Sequence, residues 1–308
     1  MADLDMKAIT PTRPIVVNCG TFDENTGGTI VLHTLVDRLR KLGVEAYAVP
    51  LIRQYRPSIP GWQRWIRTQN QKRKARLFKS HPSMDVPVAP AGLARSAIAI
   101  YPEVISGNPL GAPVQVHWLL NRPGFFGKPL DLAESDAVFF YQAAFCEGTE
   151  GVPSDNLLRV RWLRHDVYEN KNLPGRSGAC RMLRKGSLQG SNAVPEDDTA
   201  IPLDGKSHEE LAEIFNRTEI FYCHDPYTMY CYYAALCGCV PVIIPEPGLT
   251  SREWRETFEL KQGVAYGLYE LQWARDTREG LLSDMQVAQT QETEMVQDLL
   301  KKLKAAFG

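Results

Sequence analysis

A repeated alternation of apolar strands with amphipathic helices most constrains how this chain folds. The apolar run at residues 15–19 is followed by a turn-rich stretch. Apolar residues then recur at helical spacing from Ile30 to Leu42, until Gly43 ends the pattern. A second apolar run follows at residues 44–49. A strand, a helix and a strand in this order predict a parallel sheet with right-handed crossovers.

The same alternation continues along the chain and begins again after a polar, turn-prone stretch. Apolar, β-branched runs predict further strands at residues 97–101, 114–119, 137–141, 179–183, 220–223 and 240–244. The pattern Ser207-x-x-Glu210 is typical of a helix start. We therefore predict an α/β protein with two Rossmann-like domains, at residues 1–165 and 166–284, and a C-terminal helix at residues 285–308.

Composition excludes several classes of protein. Lys and Arg total 35 and Asp and Glu total 36, so the net charge of −1 disfavours nucleic acid as a partner. The first residues lack the basic and apolar regions of a signal peptide, and no apolar run approaches the roughly 18 residues of a membrane span. The seven cysteines form no C-x-x-C pair, which indicates buried thiols. We expect a cytoplasmic enzyme.

The end of the strand at residues 220–223 has the features of a phosphate site. Open α/β sheets bind ligands at the carboxyl ends of their strands, where helix N-termini offer N–H groups. Here Asp225 and Pro226 lead into a helix that we predict at residues 227–237. The hydroxyls of Tyr227 and Thr228 suit hydrogen bonds to a phosphate. Asp225 either faces the ligand or serves as the N-cap of this helix.

Two neighbouring strand ends of the second half add charge. Arg184 and Lys185 follow the strand at residues 179–183. Two cations there suit a diphosphate leaving group, whose negative charge grows as its bond to sugar breaks, although a solvated surface pair has the same composition. Glu246 follows the strand at residues 240–244 and suits hydrogen bonds from sugar or ribose hydroxyls. Together these groups predict a nucleotide-diphosphate site.

Several motifs resemble those of a known enzyme family. The runs Y-x-x-D-P-Y-T-x-Y at residues 222–230 and A-A-L-C-G-C-V-P-V at residues 234–242 resemble the donor-binding half of glycosyltransferases with the GT-B fold. Motifs of the first half are similar to those of bacterial and viral polysaccharide-type members. These motifs are G-G at 27–28, Y-P-E at 101–103, G-N-P at 107–109 and W-L-L-N-R-P-G at 118–124.

This resemblance implies a fold and a substrate. It implies two Rossmann-like domains whose parallel sheets face a central cleft, a nucleotide-sugar donor, no cofactor and no obligatory metal. It also places Tyr222 among the donor-binding residues. Retaining members carry two glutamates eight positions apart around the helix of the second half. Here Asp225 precedes that helix and Ala235 stands near the position of the second carboxylate, so we expect an inverting transfer.

An inverting transfer needs a general base on the acceptor hydroxyl. Asp23 and Glu103 are the candidates, because each lies in a loop that follows a predicted strand of the first half. His33 and His117 lie inside a helix and a strand and are interpreted as structural histidines. Candidate acceptor or cleft contacts lie at other strand ends and at the first helix start; they are Gly27, Gly28, Asn121 and Arg122.

Residues 53–79 combine nine cations with Trp62, Trp65 and Phe78 and contain no acidic residue. Such a segment suits peripheral contact with anionic lipid headgroups, a negatively charged or sugar acceptor, or bases and phosphates of nucleic acid. A solvated helix whose tryptophans help the core has the same composition. We expect acceptor or membrane contact.

The sequence therefore predicts a glycosyltransferase, a hexosyl- or pentosyltransferase that acts on a glycan or glycolipid hydroxyl in polysaccharide biosynthesis. Two alternatives stay open. A nucleotide-sugar 2-epimerase of the same shape would turn over the donor without an acceptor. A non-catalytic sugar- or nucleotide-binding module would bind the nucleotide but not depend on Asp23 or Glu103.

Overall fold

The computed structural model describes residues 6–50, 60–125, 130–146, 148–183, 199–226, 228–257 and 262–308. The chain divides into two compact units: unit 1 contains residues 1–162 and 289–308, and unit 2 contains residues 163–288. None of the helices in these described ranges has the length and apolarity needed to cross a bilayer.

Unit 1 is built on a parallel sheet of five strands, in the order β2-β1-β3-β4-β5. The strands are β1 (Ile15–Cys19), β2 (Ala46–Pro50), β3 (Ile98–Pro102), β4 (Val114–Leu119) and β5 (Ala137–Phe140). The helices that precede or connect them are α1 (Met6–Ile9), α2 (Gly27–Lys41) and α3 (Gly61–Arg76), with 3-10 turns at Leu93–Ser96 and Ala143–Cys146.

Unit 2 repeats this organisation, in the order β10-β9-β8-β6-β7. Its strands are β6 (Ala179–Met182), β7 (Ile201–Pro202), β8 (Ile220–Cys223), β9 (Val240–Ile243) and β10 (Ala265–Tyr266). Its helices are α4 (His208–Arg217), α5 (Tyr230–Leu236), α6 (Ser251–Thr257) and α7 (Leu271–Asp276), with a 3-10 turn at Leu268–Glu270. The last helix, α8 (Arg278–Phe307), contributes to both units.

The first sheet is covered on both faces, which explains its continuous apolar strands. All five residues of β1 are buried. Val17 belongs to a buried cluster with Leu35 of α2 and Leu299 of α8, whereas Val16 belongs to a second cluster with Tyr101. Strands that alternate between two buried faces in this way need apolar residues at every position.

The predicted α/β class, with two Rossmann-like halves, is confirmed by two five-stranded parallel sheets with flanking helices. The capping box is also confirmed, since the Ser207 hydroxyl accepts a hydrogen bond from the Glu210 amide and the Ser207 amide donates to the Glu210 carboxylate. The polar loop predicted at residues 187–198 lies outside the described residues.

Two helix starts differ from the prediction, and two strands were not predicted. Helix α5 starts at Tyr230 rather than at residue 227, and α8 starts at Arg278 rather than near residue 285. The edge strands β7 and β10 were not predicted, because each has only two residues and shows no periodicity. The chain therefore has a longer connection after β8 than the sequence pattern indicates.

Both sheets have the same topological switch point. In each, the second strand lies on one side of the first strand and the third lies on the other, so the order reverses between β1 and β3 and between β6 and β8. In open parallel sheets, ligands bind outside the carboxyl ends of the strands at this point. The fold therefore indicates one candidate site in each unit.

Candidate active site

The switch point of unit 2 lies where β6 and β8 end. Asp225 follows β8 by two residues, and His224, which is buried, stands between them. Arg184, Lys185 and Tyr227, three of the predicted donor-binding residues, lie outside the described residues. The site of unit 2 is therefore built here from Asp225, Glu246 and their surroundings.

Glu246 lies three residues after β9, the strand next to β8. Its backbone N–H donates to the hydroxyl of Tyr266 at 3.0 Å, and this hydroxyl donates to the carbonyl of Leu249 at 3.0 Å. The Tyr266 ring is buried and stacks on Trp254, with ring centroids 5.3 Å apart. A rigid aromatic pair therefore fixes the backbone from which Glu246 projects.

Glu246 is half-buried, and one oxygen of its carboxyl lacks a partner among the described residues. Its Oε1 is inaccessible to solvent and accepts no hydrogen bond from the part of the chain that the structure describes. Burial raises the pKa of Glu246, and the negative charge of Asp225 raises this pKa further. Two carboxylates thus lie close enough to interact at adjacent strand ends, and one of them has an oxygen ready to accept a hydrogen bond.

Asp225 is not the N-cap of the following helix, because Met229 occupies that position. The backbone around Asp225 is held by Cys223, whose thiol donates to the Asp225 carbonyl at 3.2 Å, and by Trp254, whose indole N–H donates to the Pro226 carbonyl at 3.1 Å. The N-cap interpretation of Asp225 is therefore wrong.

Thr228 and Tyr222 are both largely buried. The Thr228 hydroxyl accepts a hydrogen bond from the Tyr230 amide at 3.4 Å, and Thr228 precedes α5 instead of belonging to its first turn. The Tyr222 ring belongs to a buried cluster with Val240 and Val242 of β9. These contacts give both residues a structural role, and their contact with a donor stays a prediction.

In unit 1, Asp23 lies in the loop between β1 and α2. Its two carboxylate oxygens accept hydrogen bonds from the Asn25 amide at 2.9 Å and the Thr26 hydroxyl at 2.7 Å. Such an Asx turn shapes the approach to the helix. A Cβ atom added at Gly27 or Gly28, the first residues of α2, would meet nothing within 4 Å. The described residues therefore leave room beside this helix start, and its contact with an acceptor stays a prediction.

Glu103 directly follows β3 and is 7% exposed. Its Oε2 accepts a hydrogen bond from the Leu120 amide, just after β4, at 3.1 Å. Burial raises the pKa of Glu103, and the hydrogen bond from Leu120 offsets part of this effect. A carboxylate at a strand end with a raised pKa has the properties of a general base.

Asn121 and Arg122 lie just beyond the end of β4. The Asn121 side-chain oxygen accepts a hydrogen bond from the Arg122 amide at 2.8 Å, and the Arg122 guanidinium donates to the Ala144 carbonyl at 3.3 Å. The structure therefore places Glu103, Asn121 and Arg122 at the ends of the adjacent strands β3 and β4. Their contact with an acceptor stays a prediction.

A buried His117–Asp136 pair is the main titratable feature that the sequence analysis did not find. His117 has no exposed surface, and its Nε2 lies 3.4 Å from an Asp136 carboxylate oxygen. Burial lowers the pKa of His117, although the charge of Asp136 acts in the opposite direction. His33 is also buried, and its Nε2 lies 2.9 Å from the Gly20 carbonyl. The structural interpretation of both histidines agrees with their burial.

The residues of the described ranges include no cluster of three or more His, Cys, Asp or Glu side chains placed to hold a metal ion. The seven cysteines are free thiols, and six of them are buried. Burial raises the pKa of Cys237 to about 12 and also raises that of Cys231 and Cys239, so these thiols are unreactive.

The chain was compared with known proteins. No family model matches it, and no curated protein matches its sequence. Among solved structures, it is similar to the glycosyltransferase SnogD from Streptomyces nogalater, with 13% identity, 96% of this chain and 100% of that chain covered, and a TM-score of 0.38. It is also similar to the glycotransferase of kitacinnamycin, with 12% identity, 97% of both chains covered, and a TM-score of 0.35. At these values, a function has to be inferred from the site residues.

Proposed function

We propose that this protein is a glycosyltransferase that moves a sugar from a nucleotide-diphosphate-sugar to a hydroxyl of a glycan or glycolipid, with inversion and without a metal. The observation that carries the proposal is the pair of carboxylates beside the switch point of unit 2. Glu246 has a buried oxygen without a partner among the described residues, and its charge interacts with that of Asp225.

A neutral, hydroxyl-rich ligand fits this pair better than an anion does. Carboxylates accept hydrogen bonds, so Glu246 would accept them from ribose or sugar hydroxyls, which are donors. The diphosphate would be held by other groups, and Arg184, Lys185, Tyr227 and Thr228 have the required cations and hydroxyls. Neutralisation of the diphosphate by Arg184 and Lys185 would replace the metal ion that many transferases use for this purpose.

For the acceptor we propose the strand ends of unit 1. Glu103 would take the proton from the acceptor hydroxyl while this oxygen bonds to the anomeric carbon and the bond from that carbon to the diphosphate breaks. The proton moves to Glu103 and the electron pair leaves with the nucleotide diphosphate. Glu103 suits this role better than Asp23, because both oxygens of Asp23 already accept hydrogen bonds within its turn.

The donor site is tested with Glu246→Gln. The melting temperature would be measured with UDP, GDP, dTDP and CDP and their sugars, in Mg²⁺ and in EDTA. One nucleotide family should raise it, since a ligand at 100 times its Kd stabilises by about 2.7 kcal/mol. Glu246→Gln should reduce the shift with the nucleotide-sugar, because an amide accepts fewer hydrogen bonds. The matched control is Glu213→Gln, an exposed carboxyl of α4. No shift with any nucleotide contradicts the donor site.

The base is tested by turnover with the nucleotide-sugar so identified. Glu103→Gln should reduce release of the nucleotide diphosphate by about 100-fold or more and leave the nucleotide-induced melting shift unchanged. Asp23→Asn should reduce release much less. If Asp23→Asn has the larger effect, the roles of the two residues are reversed. Donor turnover without an acceptor would instead indicate an epimerase, and unchanged function in both variants would indicate a binding module.

A further inference from the structure

Helix α3 presents a continuous stripe of side chains to solvent. At about 100° per residue, seven of its residues fall within an arc of about 120°. They are Trp62, Trp65, Ile66, Gln69, Lys72, Arg73 and Arg76, and we name them the outer stripe. All seven are exposed. The half-buried residues Thr68, Gln71 and Ala75 lie on the other side of the helix.

The outer stripe has an apolar end and a cationic end. Trp62 and Trp65 are 64% and 65% exposed and Ile66 is 42% exposed. Lys72, Arg73 and Arg76 supply the charge about two to four turns later. At a rise of about 1.5 Å per residue, the two ends together span about 21 Å. Large apolar side chains that are exposed together indicate an interaction surface, because their contact with water is unfavourable.

The charge around this helix has a single sign. The sequence contains no acidic residue between Glu45 and Asp85, while the protein as a whole has a net charge of −1. The described residues of this region add the cations Arg64, Arg67 and Lys79 to those of the outer stripe. A surface that attracts anions is therefore concentrated on one helix of a protein whose overall charge is close to zero.

We propose that the outer stripe of α3 docks the protein on an anionic lipid bilayer. Tryptophan side chains partition to the level of the lipid headgroups, and Lys and Arg are attracted to the negative surface potential of anionic lipids. Both groups lie on the same side of one helix, so they reach a flat surface together.

Nucleic acid fits the outer stripe less well than a bilayer does. Ile66 has no aromatic ring to stack on a base, and the apolar end of the stripe carries no cation to contact a phosphate. A bilayer therefore fits better than nucleic acid.

The test uses the whole 308-residue chain and flotation with vesicles. Vesicles of phosphatidylcholine alone are compared with vesicles that contain anionic phosphatidylglycerol, at physiological salt and at high salt. The first variant, Trp62→Ser with Trp65→Ser, removes the apolar end. The second, Lys72→Ser with Arg73→Ser and Arg76→Ser, removes the cationic end.

Matched controls make the same changes at exposed sites elsewhere. Val88→Ser with Val287→Ser removes two apolar side chains that are 50% and 53% exposed. Arg95→Ser with Lys171→Ser and Arg217→Ser removes three exposed cations. Melting temperatures show whether each variant folds, since surface substitutions usually change stability little.

We expect the unmodified protein to bind the anionic vesicles and to bind less at high salt. The cationic variant should bind roughly 100-fold more weakly, from about 1 kcal/mol for each cation near the surface. The Trp variant should bind about tenfold more weakly, and both controls should bind like the unmodified protein. The nucleotide-induced melting shift should stay the same in all variants, so this inference and the proposed function fail independently.

Three results would overturn the inference. The first is absence of binding to anionic vesicles. The second is binding that the outer-stripe variants retain or that the controls also lose. The third is binding of labelled RNA or self-association that depends on the tryptophans while vesicles are not bound, because the surface would then serve nucleic acid or a second copy of the chain.

Discussion

Removal of one buried carboxylate should destabilise unit 1 by several kcal/mol. Glu292 of α8 accepts hydrogen bonds from the Arg161 guanidinium and, at 3.1 Å, from the Arg161 backbone amide. The two side chains are 3% and 7% exposed, and both belong to unit 1. This ion pair connects the middle of α8 to a segment that is 131 residues away in sequence.

The size of the effect follows from what Glu292→Ala leaves behind. The variant would remove the acceptor that Glu292 supplies to the buried Arg161 guanidinium and amide. Breaking a buried pair in this way costs about 3–5 kcal/mol. By contrast, Arg161→Met combined with Glu292→Leu removes both charges and keeps apolar volume. Such replacements are often neutral or stabilising, so the double variant should recover most of the loss.

The loss of stability would be measured by unfolding the protein in urea and monitoring each peptide by hydrogen exchange with mass spectrometry. Because the chain has two units, one transition cannot be assumed, and peptides from β1 and β3 should be followed separately from peptides of β8 and β9. We expect earlier unfolding of the unit 1 peptides only. A Glu292→Ala variant within about 1 kcal/mol of the unmodified protein, or a double variant less stable than both single variants, would refute this reasoning.

Two further predictions concern stability. Gly238 has φ +89°, and an added Cβ would lie 2.8 Å from the Arg176 guanidinium, which donates to the Phe215 carbonyl at 2.7 Å. Gly238→Ala should therefore lower the free energy of unfolding by about 2–4 kcal/mol in urea titrations. Gly248→Ala, at φ +82° in open space, should lower it by only about 1 kcal/mol, and equal effects would contradict a steric cause. The second prediction concerns pH. Burial lowers the pKa values of His33 and His117, so the unfolded chain binds more protons than the folded one below about pH 6.5. Stability should fall as pH decreases from about 6.5, by up to about 1.4 kcal/mol per pH unit for each histidine, and urea midpoints that stay constant between pH 7.5 and 5.5 would contradict this.

Local pattern was enough to predict most of the strands. The runs predicted at 15–19, 114–119 and 220–223 coincide with β1, β4 and β8, since a strand buried on both faces is apolar at every position. The starts of the helices were harder to predict from the sequence than the strands. Gly280 interrupts the apolar pattern near the start of α8 but lies inside the helix, where an added Cβ would contact the Gln262 side chain. No local pattern records a contact between these two residues, so the start of α8 was predicted too late in the sequence.

The strand ends at which the candidate residues lie were predictable from the sequence, but the contacts of these residues were not. Parallel strands bring their carboxyl ends to one edge, so the topology alone brings Asp225 near Glu246 and Glu103 near Asn121. Which of these groups is buried or already bonded depends on distant residues. The sequence places Glu292 in the predicted C-terminal helix and Asp136 just before a predicted strand, but it does not indicate that these carboxylates contact Arg161 and His117.

The surroundings of Glu246 favour a ligand over a purely structural role. A buried carboxylate oxygen without a partner destabilises a fold, and proteins usually satisfy such groups. Here the adjacent Tyr266 hydroxyl bonds the backbone of residues 246 and 249, and no described residue donates to the buried carboxylate oxygen. Within the described part of the chain, the backbone is therefore satisfied and this oxygen is not. A neutral sugar or ribose hydroxyl would supply the missing donor, and its hydrogen bond would also offset the two effects that raise the pKa of Glu246, burial and the negative charge of Asp225.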